Sequence, residues 1–258
     1  FSNFVPRRLK CPQMVVLRSP TFYSPEYQQL QLRGIKHKMR QFLGKRLARS
    51  TPRIADAVVC ITSAQRLDVC SQVGLSRQEI LVSPYGCSAA AELGACPGLT
   101  SRDGLSRVPR SVHAQLAPIL QRSASVILNV AHYTIQKNLI DLLLAVRELV
   151  QTNENVVLVI TAGLLDYQGP STPATRREIE VAQSLQALGG LVDLGRVEKP
   201  DVWALLSLAD IFAFPSSVES FGHPLLEAQA MGVPLVASGT AVHREVAGEG
   251  AMYYDVGN

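Results

Sequence analysis

Short apolar runs alternate with helix-like segments along most of this 258-residue chain, and this alternation is the strongest constraint on its fold. The runs are rich in Val, Ile and Leu on both faces, which is typical of strands buried between helical layers. Strand followed by helix in this order predicts right-handed βαβ units and a doubly wound parallel sheet. The predicted strands are Met14–Leu17, Ala57–Ile61, Ile80–Ser83, Val126–Val130, Val156–Thr161, Leu191–Leu194, Ile211–Phe214 and Pro234–Ala237.

Residues that cap or break helices separate these runs. Ser63 is expected to cap a helix that ends at Gly74, because a Ser hydroxyl satisfies free amides and Gly adopts the left-handed turn. Thr172 followed by Pro173 predicts the start of another helix, which Gly189 closes. Further helices are predicted at Leu139–Gln151 after the cap Asn138, at Pro200–Ala209 and at Pro224–Gly232.

The first part of the chain contains one long helical pattern, Glu26–Ser50, with two different faces. Its large apolar residues recur at helical spacing and are expected to point inward: they are Leu30, Ile35, Met39, Phe42, Leu43 and Leu47. The other face is basic and carries Arg33, Lys36, Lys38, Arg40, Lys45, Arg46 and Arg49. This basic face is either a solvated surface or a site that docks on an anionic membrane.

Composition excludes several classes of protein. Apolar residues make up 47% and charged residues 18% of the chain, which excludes wholesale disorder, collagen-like repeats and coiled coil. The net charge of +4 is too small to indicate a nucleic-acid-binding protein, and no apolar run reaches the length of a membrane span. The five cysteines are an odd number without metal-type spacing, which favours a reducing compartment.

A change in composition divides the chain. Between Gly86 and Arg122 the sequence is rich in Ala, Gly, Ser, Pro and Arg and has no sustained period, which is typical of a linker. We therefore predict one domain over residues 1–95, a linker over residues 96–122 and a second domain over residues 123–258. The chain begins without the features of a signal peptide and ends just after a strand-like segment, so we expect a fragment.

Two carboxylates flank the predicted helix start after the strand Ile211–Phe214. In an open parallel sheet, ligands bind beyond the carboxyl ends of the strands, next to helix N-termini. Glu219 lies in the loop, and Gly222 allows a close approach of the backbone. Pro224 takes the first helical position, so Glu227 falls near the end of the first turn. Because a helix N-terminus favours phosphate and carboxylates suit hydroxyl groups, the pattern favours a nucleotide sugar as ligand.

A lysine follows an earlier strand of the same predicted sheet. Lys137 comes after Val126–Val130 and directly before the helix cap Asn138, where its ammonium could pair with a diphosphate. A single lysine at a helix start is usually solvated. The glutamate pair in the same half of the chain favours the diphosphate hypothesis.

Several segments resemble one enzyme family. The segment E-S-F-G-H-P-L-L-E-A, from Glu219 to Ala228, resembles the E-x7-E motif of the family 4 (group 1) glycosyltransferases, retaining enzymes of the GT-B fold. Supporting segments are I-L-N-V-A-H-Y-T-I-Q-K-N, D-L-G-R-V, L-L-S-L-A-D-I-F-A-F-P-S, G-V-P-L-V-A-S and V-H-R-E-V. The resemblance implies an α/β protein with two Rossmann-like doubly wound domains, of which the N-terminal one is incomplete. Residues 1–95 would belong to the acceptor-side domain, and residues 123–258 would form the nucleotide-sugar domain without its last helices.

The resemblance also assigns roles to residues at matching positions. Glu219 would hold the hydroxyls of the transferred sugar, together with the amides of Phe221 and Gly222. Lys137 would neutralise the departing diphosphate, and Glu227 would accept the ribose hydroxyls. The remaining donor contacts of the family fall on the amides of Leu225 and Leu226 and, beside the nucleobase, on Arg196 and Val197.

The chain departs from the family at two contacts. The family usually has an Arg beside Gly before the lysine, and Ala131-His132 stands there instead. His132 is expected either to contact phosphate or acceptor, or to be structural. His223 either contacts the donor or only shapes the turn. At the end of the first strand, the segment Leu17-Arg18-Ser19-Pro20 stands where many relatives have a His that faces the cleft, and Arg18 or Ser19 could substitute for it.

The resemblance implies transfer of a sugar from a nucleoside-diphosphate sugar to an acceptor hydroxyl with retention of configuration. The implied reaction needs no cofactor and no divalent metal, and the acceptor would be a saccharide or lipid-linked molecule in polysaccharide biosynthesis. The implied location is the cytoplasm, either free or peripheral on the inner face of the cell membrane through the basic helix 26–50.

Three other functions are compatible with the pattern. Glu219 and Glu227 could form the acid–base pair of a glycosidase, although their position at a helix N-terminus suits phosphate better. The missing Arg is consistent with a non-catalytic nucleotide-sugar-binding module. The third alternative is an epimerase that acts on nucleotide sugars.

Overall fold

The computed structural model describes residues 11–20, 23–24, 35–87 and 110–257. These residues divide into two compact units. The first unit comprises the described residues up to Gly86, together with the later segments Ser217–Gly222 and Thr240–Gly248. The second unit comprises the described residues of the rest of the chain. The chain therefore returns twice from the second unit to complete the first.

The first unit is built on a three-stranded sheet. Its elements in chain order are β1 (Met14–Leu17), α1 (Ile35–Ile54), β2 (Ala57–Cys60), α2 (Ser63–Val73) and β3 (Ile80–Val82). The strands lie in the order β1-β2-β3 and are all parallel, as the alternating pattern predicts. Its apolar core includes Leu17, Cys60 and Val69, which are fully buried.

Helix α2 begins at a different cap from the one that the sequence predicts. The hydroxyl of Thr62, not that of Ser63, accepts a backbone N–H of the first turn at 3.1 Å. The amides of Ser63 and Ala64 donate to the carboxylate of Glu245 at 2.6 and 2.9 Å. Glu245 comes from one of the two later segments of the first unit. The helix ends at Gly74 in a left-handed conformation (φ 75°), as predicted.

Helix α1 presents to solvent the face that the sequence pattern predicts to be inward. The exposed fractions lie between 55% and 60% for Met39, Phe42, Leu43 and Leu47. The buried residues of this helix include Gly44, Ala48 and Thr51, which are small, and the hydroxyl of Tyr23 donates to the carbonyl of Ala48 at 2.7 Å. Small side chains let the helix backbone pack closely, so the predicted inward stripe is wrong for Met39, Phe42, Leu43 and Leu47. The part of the predicted helix before Ile35 lies outside the described residues.

The second unit contains a six-stranded sheet. Its elements are α3 (Arg110–Gln121), β4 (Ser125–Asn129), α4 (Leu139–Gln151), β5 (Val156–Ile160), α5 (Pro173–Ala187), β6 (Leu191–Asp193), α6 (Lys199–Leu208), β7 (Ile211–Phe214), α7 (His223–Ala230), β8 (Leu235–Ser238) and β9 (Ala251–Tyr254). The strands lie in the order β6-β5-β4-β7-β8-β9 and all pairs are parallel. This is the doubly wound parallel sheet that the sequence predicts. Helix α8 (Ala241–Ala247), between β8 and β9, belongs to the first unit.

The main apolar core of the second unit joins β5 to α4 and α5. Leu143, Leu158, Ile160 and Leu185 are fully buried in it. All eight predicted strands are present in the structure, with ends that differ by at most one residue. Among the described helices, none is long and apolar enough to cross a membrane.

The sequence pattern does not predict helix α3, whereas the strand-like segment noted near the end of the chain is strand β9. Helix α3 lies in the segment 96–122 that composition predicts to be a linker, and residues 88–109 are outside the described part. Val112, Leu116 and Ile119 recur at helical spacing and are at most 6% exposed, so an apolar face forms this helix. An interior Pro118 and the neighbouring Gly, Ser and Arg obscure the pattern.

Candidate functional site

The strand order of the second unit reverses between β4 and β7, and ligands of open α/β sheets bind at such a switch point. The ladder between the two strands ends at Leu128 and Phe212. Beyond it, the side-chain amide of Asn129 donates to the carbonyl of Ala213 at 2.9 Å. The loops after β4 and β7 therefore begin side by side at the carboxyl edge of the sheet.

Lys137 lies at this switch point. A short 3-10 turn, Ile135–Lys137, leads into Asn138, which has a left-handed conformation (φ 49°) just before α4. The Lys137 ammonium is 5.7 Å from the ring centroid of Phe214, the last residue of β7. The Asn138 amide does not cap α4 with a side-chain hydrogen bond; it donates to the carbonyl of Pro215 at 3.3 Å. The lysine is thus held against the end of β7.

A buried glutamate of α5 anchors the loop that carries Lys137. The Tyr133 hydroxyl donates to one oxygen of Glu178, and the amide of Ile140 donates to the other at 3.2 Å. Burial raises the pKa of Glu178 above its usual range, while these two hydrogen bonds act in the opposite direction. Burial is the main cause of a raised pKa at Tyr133, and the hydrogen bond to Glu178 raises this pKa further. The sequence does not identify Glu178 as a functional residue, because a glutamate in an amphipathic helix is expected to lie on the surface.

His132 belongs to the same loop. It is exposed, while its neighbours Ala131 and Tyr133 are buried. The amide of Ala131 donates to the hydroxyl of Thr161 at 3.2 Å and ties the loop to the end of β5. The His132 ring is therefore outside the core and accessible from solvent.

Glu227 has a partner that the sequence analysis did not identify. Its side chain is only 11% exposed, and the ammonium of Lys199 from the first turn of α6 pairs with its Oε1. The same ammonium lies 4.7 Å from the ring centroid of Trp203, which is buried one turn further along α6. The carboxylate expected to bind ribose is therefore paired with a lysine from the preceding helix.

Helix α7 begins one residue earlier than predicted, at His223 rather than Pro224. His223 is exposed, Leu226 is half-buried, and the Leu225 side chain is fully buried. Burial of Leu225 fixes the first turn of the helix against the sheet.

Asp193, at the end of β6, organises the loops expected to face the nucleobase. Its carboxylate accepts the amides of Gly163 at 2.9 Å, Leu165 at 3.0 Å and Gly195 at 3.1 Å. Gly195 has φ +65°, which lets the chain turn back towards the carboxylate. The two residues that follow it, Arg196 and Val197, are exposed and half-buried respectively.

The loop residues of the E-x7-E segment belong to the first unit. Phe221 is buried and its ring meets that of Tyr85 edge-on, with centroids 5.3 Å apart. The hydroxyl of Thr62 donates to the carbonyl of Ser220 at 3.4 Å. Gly222 has φ +96° and Glu219 is half-buried. The guanidinium of Arg18 lies 5.7 Å from the centroid of the same Tyr85 ring.

The structure therefore divides the predicted site residues between the two units. Glu219, Phe221 and Gly222 lie with the first unit. The others lie with the second unit: Lys137, His132, Arg196, Val197, His223, Leu225, Leu226 and Glu227. Within the described residues, no group of three or more His, Cys, Asp or Glu side chains could hold a metal ion.

Parallel sheets flanked by helices, with a switch point between β4 and β7, define a doubly wound α/β class of protein. Within that class, the family model for "Glycosyl transferases group 1" matches residues 119–256. The chain belongs to this glycosyltransferase family.

Two curated relatives match shorter stretches. A D-inositol 3-phosphate glycosyltransferase of Salinispora tropica is 42% identical over 89 residues, which cover 31% of this chain and 18% of that protein. An O-antigen chain mannosyltransferase B of Escherichia coli is 40% identical over 62 residues, which cover 24% of this chain and 16% of that protein.

Solved structures match over nearly the whole chain. HepE of Anabaena in complex with UDP-glucose superposes with a TM-score of 0.64 at 20% identity, covering 96% of this chain and 59% of HepE. A UDP-forming α,α-trehalose-phosphate synthase of Burkholderia vietnamiensis gives a TM-score of 0.66 at 14% identity, covering 96% and 58%. The fold is that of the GT-B glycosyltransferases, and the chain spans less than two thirds of these proteins.

Proposed function

We propose that this chain is part of a retaining glycosyltransferase that moves a sugar from a nucleoside-diphosphate sugar to an acceptor hydroxyl. In this proposal residues 123–258 form the donor-binding domain and residues 1–95 contribute to the acceptor-side domain. Membership of the group 1 family supports the class of reaction. The position of Lys137 against the end of β7, at the switch point of the sheet, is the observation that carries the proposal.

The proposed donor site places each part of the ligand beside a matching chemical group. Lys137 binds the diphosphate, and His132 on the same loop adds a second contact to it. Glu227 accepts the ribose hydroxyls, and the loop at Arg196 and Val197 lies along the base. Glu219 with the amides of Phe221 and Gly222 holds the sugar, while His223 and the amides of α7 complete the anion site.

The proposed mechanism relies on charge stabilisation. The bond between the anomeric carbon and the diphosphate oxygen breaks, and its electron pair stays on the diphosphate. The acceptor oxygen bonds to the same face of the sugar, and its proton passes to the departing phosphate. The Lys137 cation stabilises the growing negative charge more in the transition state than in the ground state. No covalent nucleophile, cofactor or metal is part of this proposal.

A donor panel tests the proposal. The chain is heated with UDP-glucose, GDP-mannose or ADP-glucose, and one of them should raise its Tm because a bound ligand stabilises the folded state. UDP-glucose is the first choice, since HepE was solved with it. Reaction of the stabilising donor with saccharide and lipid-linked acceptors should then give a product whose anomeric configuration, read by NMR, matches that of the donor. A chain that no sugar nucleotide stabilises would contradict the proposal.

The same assays separate the rival functions. A glycosidase would hydrolyse simple glycosides without nucleotide, and a binding module would be stabilised by the donor without any transfer. An epimerase would convert the sugar nucleotide to an isomer when no acceptor is present. Each outcome would replace the transferase proposal by a different activity at the same residues.

We also propose that α1 docks on an anionic membrane surface, which would bring the enzyme to a lipid-linked acceptor. The specific observation is the exposure of Phe42, Leu43 and Leu47 on this helix. Basic side chains that include Lys45, Arg46 and Arg49 lie on the same helix. Exposed apolar side chains beside lysines and arginines are the two features that bind a helix to anionic lipid.

A further inference from the structure

Glu227 presents an electrostatic problem for the proposed donor site. Its side chain is only 11% exposed, and a carboxylate that is removed from water needs a partner. A nucleoside diphosphate is itself an anion, so a carboxylate without a counter-charge would repel the ligand that it has to bind. The group that neutralises the negative charge of Glu227 is therefore part of the binding site.

Lys199 supplies this counter-charge. Its ammonium pairs with Oε1 of Glu227, although the two residues lie in separate helices, α6 and α7. The ammonium also lies 4.7 Å from the ring centroid of Trp203, and this ring is only 7% exposed. A cation over an aromatic face is attracted by the ring, so the indole and the carboxylate together fix the position of the ammonium.

We infer that Lys199 is a positioning residue for donor binding: it orients and neutralises Glu227 so that the carboxylate can accept the ribose hydroxyls beside a diphosphate. This inference rests on the proposed function. A carboxylate offers about four lone-pair positions, and the ammonium occupies one of them on Oε1. Acceptor positions therefore remain for both ribose hydroxyls, and Lys199 stays in place when the nucleotide binds.

Lys199 can be substituted without loss of the fold. Its side chain is 51% exposed, and ion pairs that water reaches contribute little to stability. Lys199→Met keeps the aliphatic part of the side chain over Trp203 and removes only the charge. Lys199→Arg keeps the charge and can stack on the same ring.

The experiment measures nucleotide affinity by calorimetry. Of UDP, GDP and ADP, the one that raises the Tm of the chain most is used, together with its 2′,3′-dideoxy analogue. Lys199→Met should weaken binding of the ribonucleotide roughly tenfold, the range of coupling between groups in direct contact. Lys199→Arg should restore most of this affinity. Lys199→Met should weaken binding of the dideoxy analogue less than that of the ribonucleotide, because the analogue loses no ribose contact and meets only the repulsion between Glu227 and its diphosphate.

A double variant tests whether Lys199 acts through Glu227. Once Glu227→Gln has removed the charged acceptor, Lys199→Met should cause no further loss of affinity. Arg177→Met, which removes an exposed charge from α5, is the matched control and should bind like wild type.

Three results would overturn the inference. Wild-type affinity in Lys199→Met would show that the pair does not serve binding. An equal loss for the ribonucleotide and its dideoxy analogue would show that Lys199 acts on the diphosphate and not through the ribose contact of Glu227. Unchanged binding by Glu227→Gln would remove the ribose role from the proposed function as well, whereas the first two results leave that function intact.

Discussion

The ammonium of Lys137, in the loop after β4, lies 5.7 Å from the ring centroid of Phe214, the last residue of β7. The Phe214 side chain is 1% exposed and cannot move without disturbing the sheet. The cation therefore lies beside a residue of the core. This arrangement makes Lys137 the first residue to test for diphosphate binding.

Lys137→Ala should weaken binding of the stabilising nucleoside diphosphate about tenfold, because a charge-assisted contact to phosphate is lost. Its Tm without ligand should stay close to that of wild type, since the lysine is only half-buried. Calorimetric titration measures the affinity, and Arg177→Ala on α5 is the control. A variant that binds the nucleotide as wild type does would remove Lys137 from the site.

Asp193→Ala should lower the free energy of unfolding by about 2 kcal/mol, because three backbone amides lose their acceptor. The amides of Gly163, Leu165 and Gly195 are the ones concerned. Urea unfolding measures the loss, and hydrogen exchange at these three amides should become faster. Asp166→Ala, at an exposed position of the same loop region, should change neither quantity. Equal stability of the two variants would contradict the anchoring role of Asp193.

Glu178→Gln should change how stability depends on pH. Burial raises the pKa of Glu178 above its ordinary value of 4.5, so the folded state binds this proton more tightly than the unfolded state. Its contribution to stability is therefore complete below the ordinary pKa and is lost as pH rises through the raised value. The Tm of Glu178→Gln minus that of wild type should increase from about pH 4 to about pH 8.

Thermal melts across this pH range measure the difference. Glu180→Gln, at an exposed position of the same helix, is the matched control. If the Glu178→Gln difference does not change with pH, the carboxyl does not titrate as its burial indicates.

The chain should sediment with vesicles that contain phosphatidylglycerol and much less with pure phosphatidylcholine, because α1 combines exposed apolar and basic side chains. The double variant Phe42→Ser/Leu43→Ser should lose most of this binding. Leu188→Ser, at an apolar residue that is 50% exposed in the second unit, is the matched control. Binding that persists in the double variant would place the lipid contact elsewhere.

The sheet of the second unit could be predicted closely from the sequence. Its strands are apolar on both faces, and cap residues such as Thr172 and Pro173 mark the helix that follows. This local chemistry determines where elements begin and end. The E-x7-E segment and Lys137 could be proposed as site residues for the same reason, since each lies in a loop that follows a predicted strand.

Other features depend on contacts that a sequence pattern does not contain. The sequence pattern of α1 shows an apolar face and a basic face. It does not show that the helix is buried on the side of its small residues around Ala48. The pairing of Lys199 with Glu227 joins residues 28 positions apart in different helices. Glu178 anchors a loop only because the Tyr133 hydroxyl and the Ile140 amide donate hydrogen bonds to its carboxylate in the folded chain.

The return of the chain to the first unit has a practical consequence for protein engineering. Glu245 caps helix α2, although it lies more than 180 residues further along the chain than Ser63. A polypeptide truncated after residue 87 would lack this carboxylate and leave the amides of Ser63 and Ala64 to water. Expressing the amino-terminal half alone would therefore remove part of its own scaffold, and hybrids with other glycosyltransferases would need to exchange Ser217–Gly222 and Thr240–Gly248 together with that half.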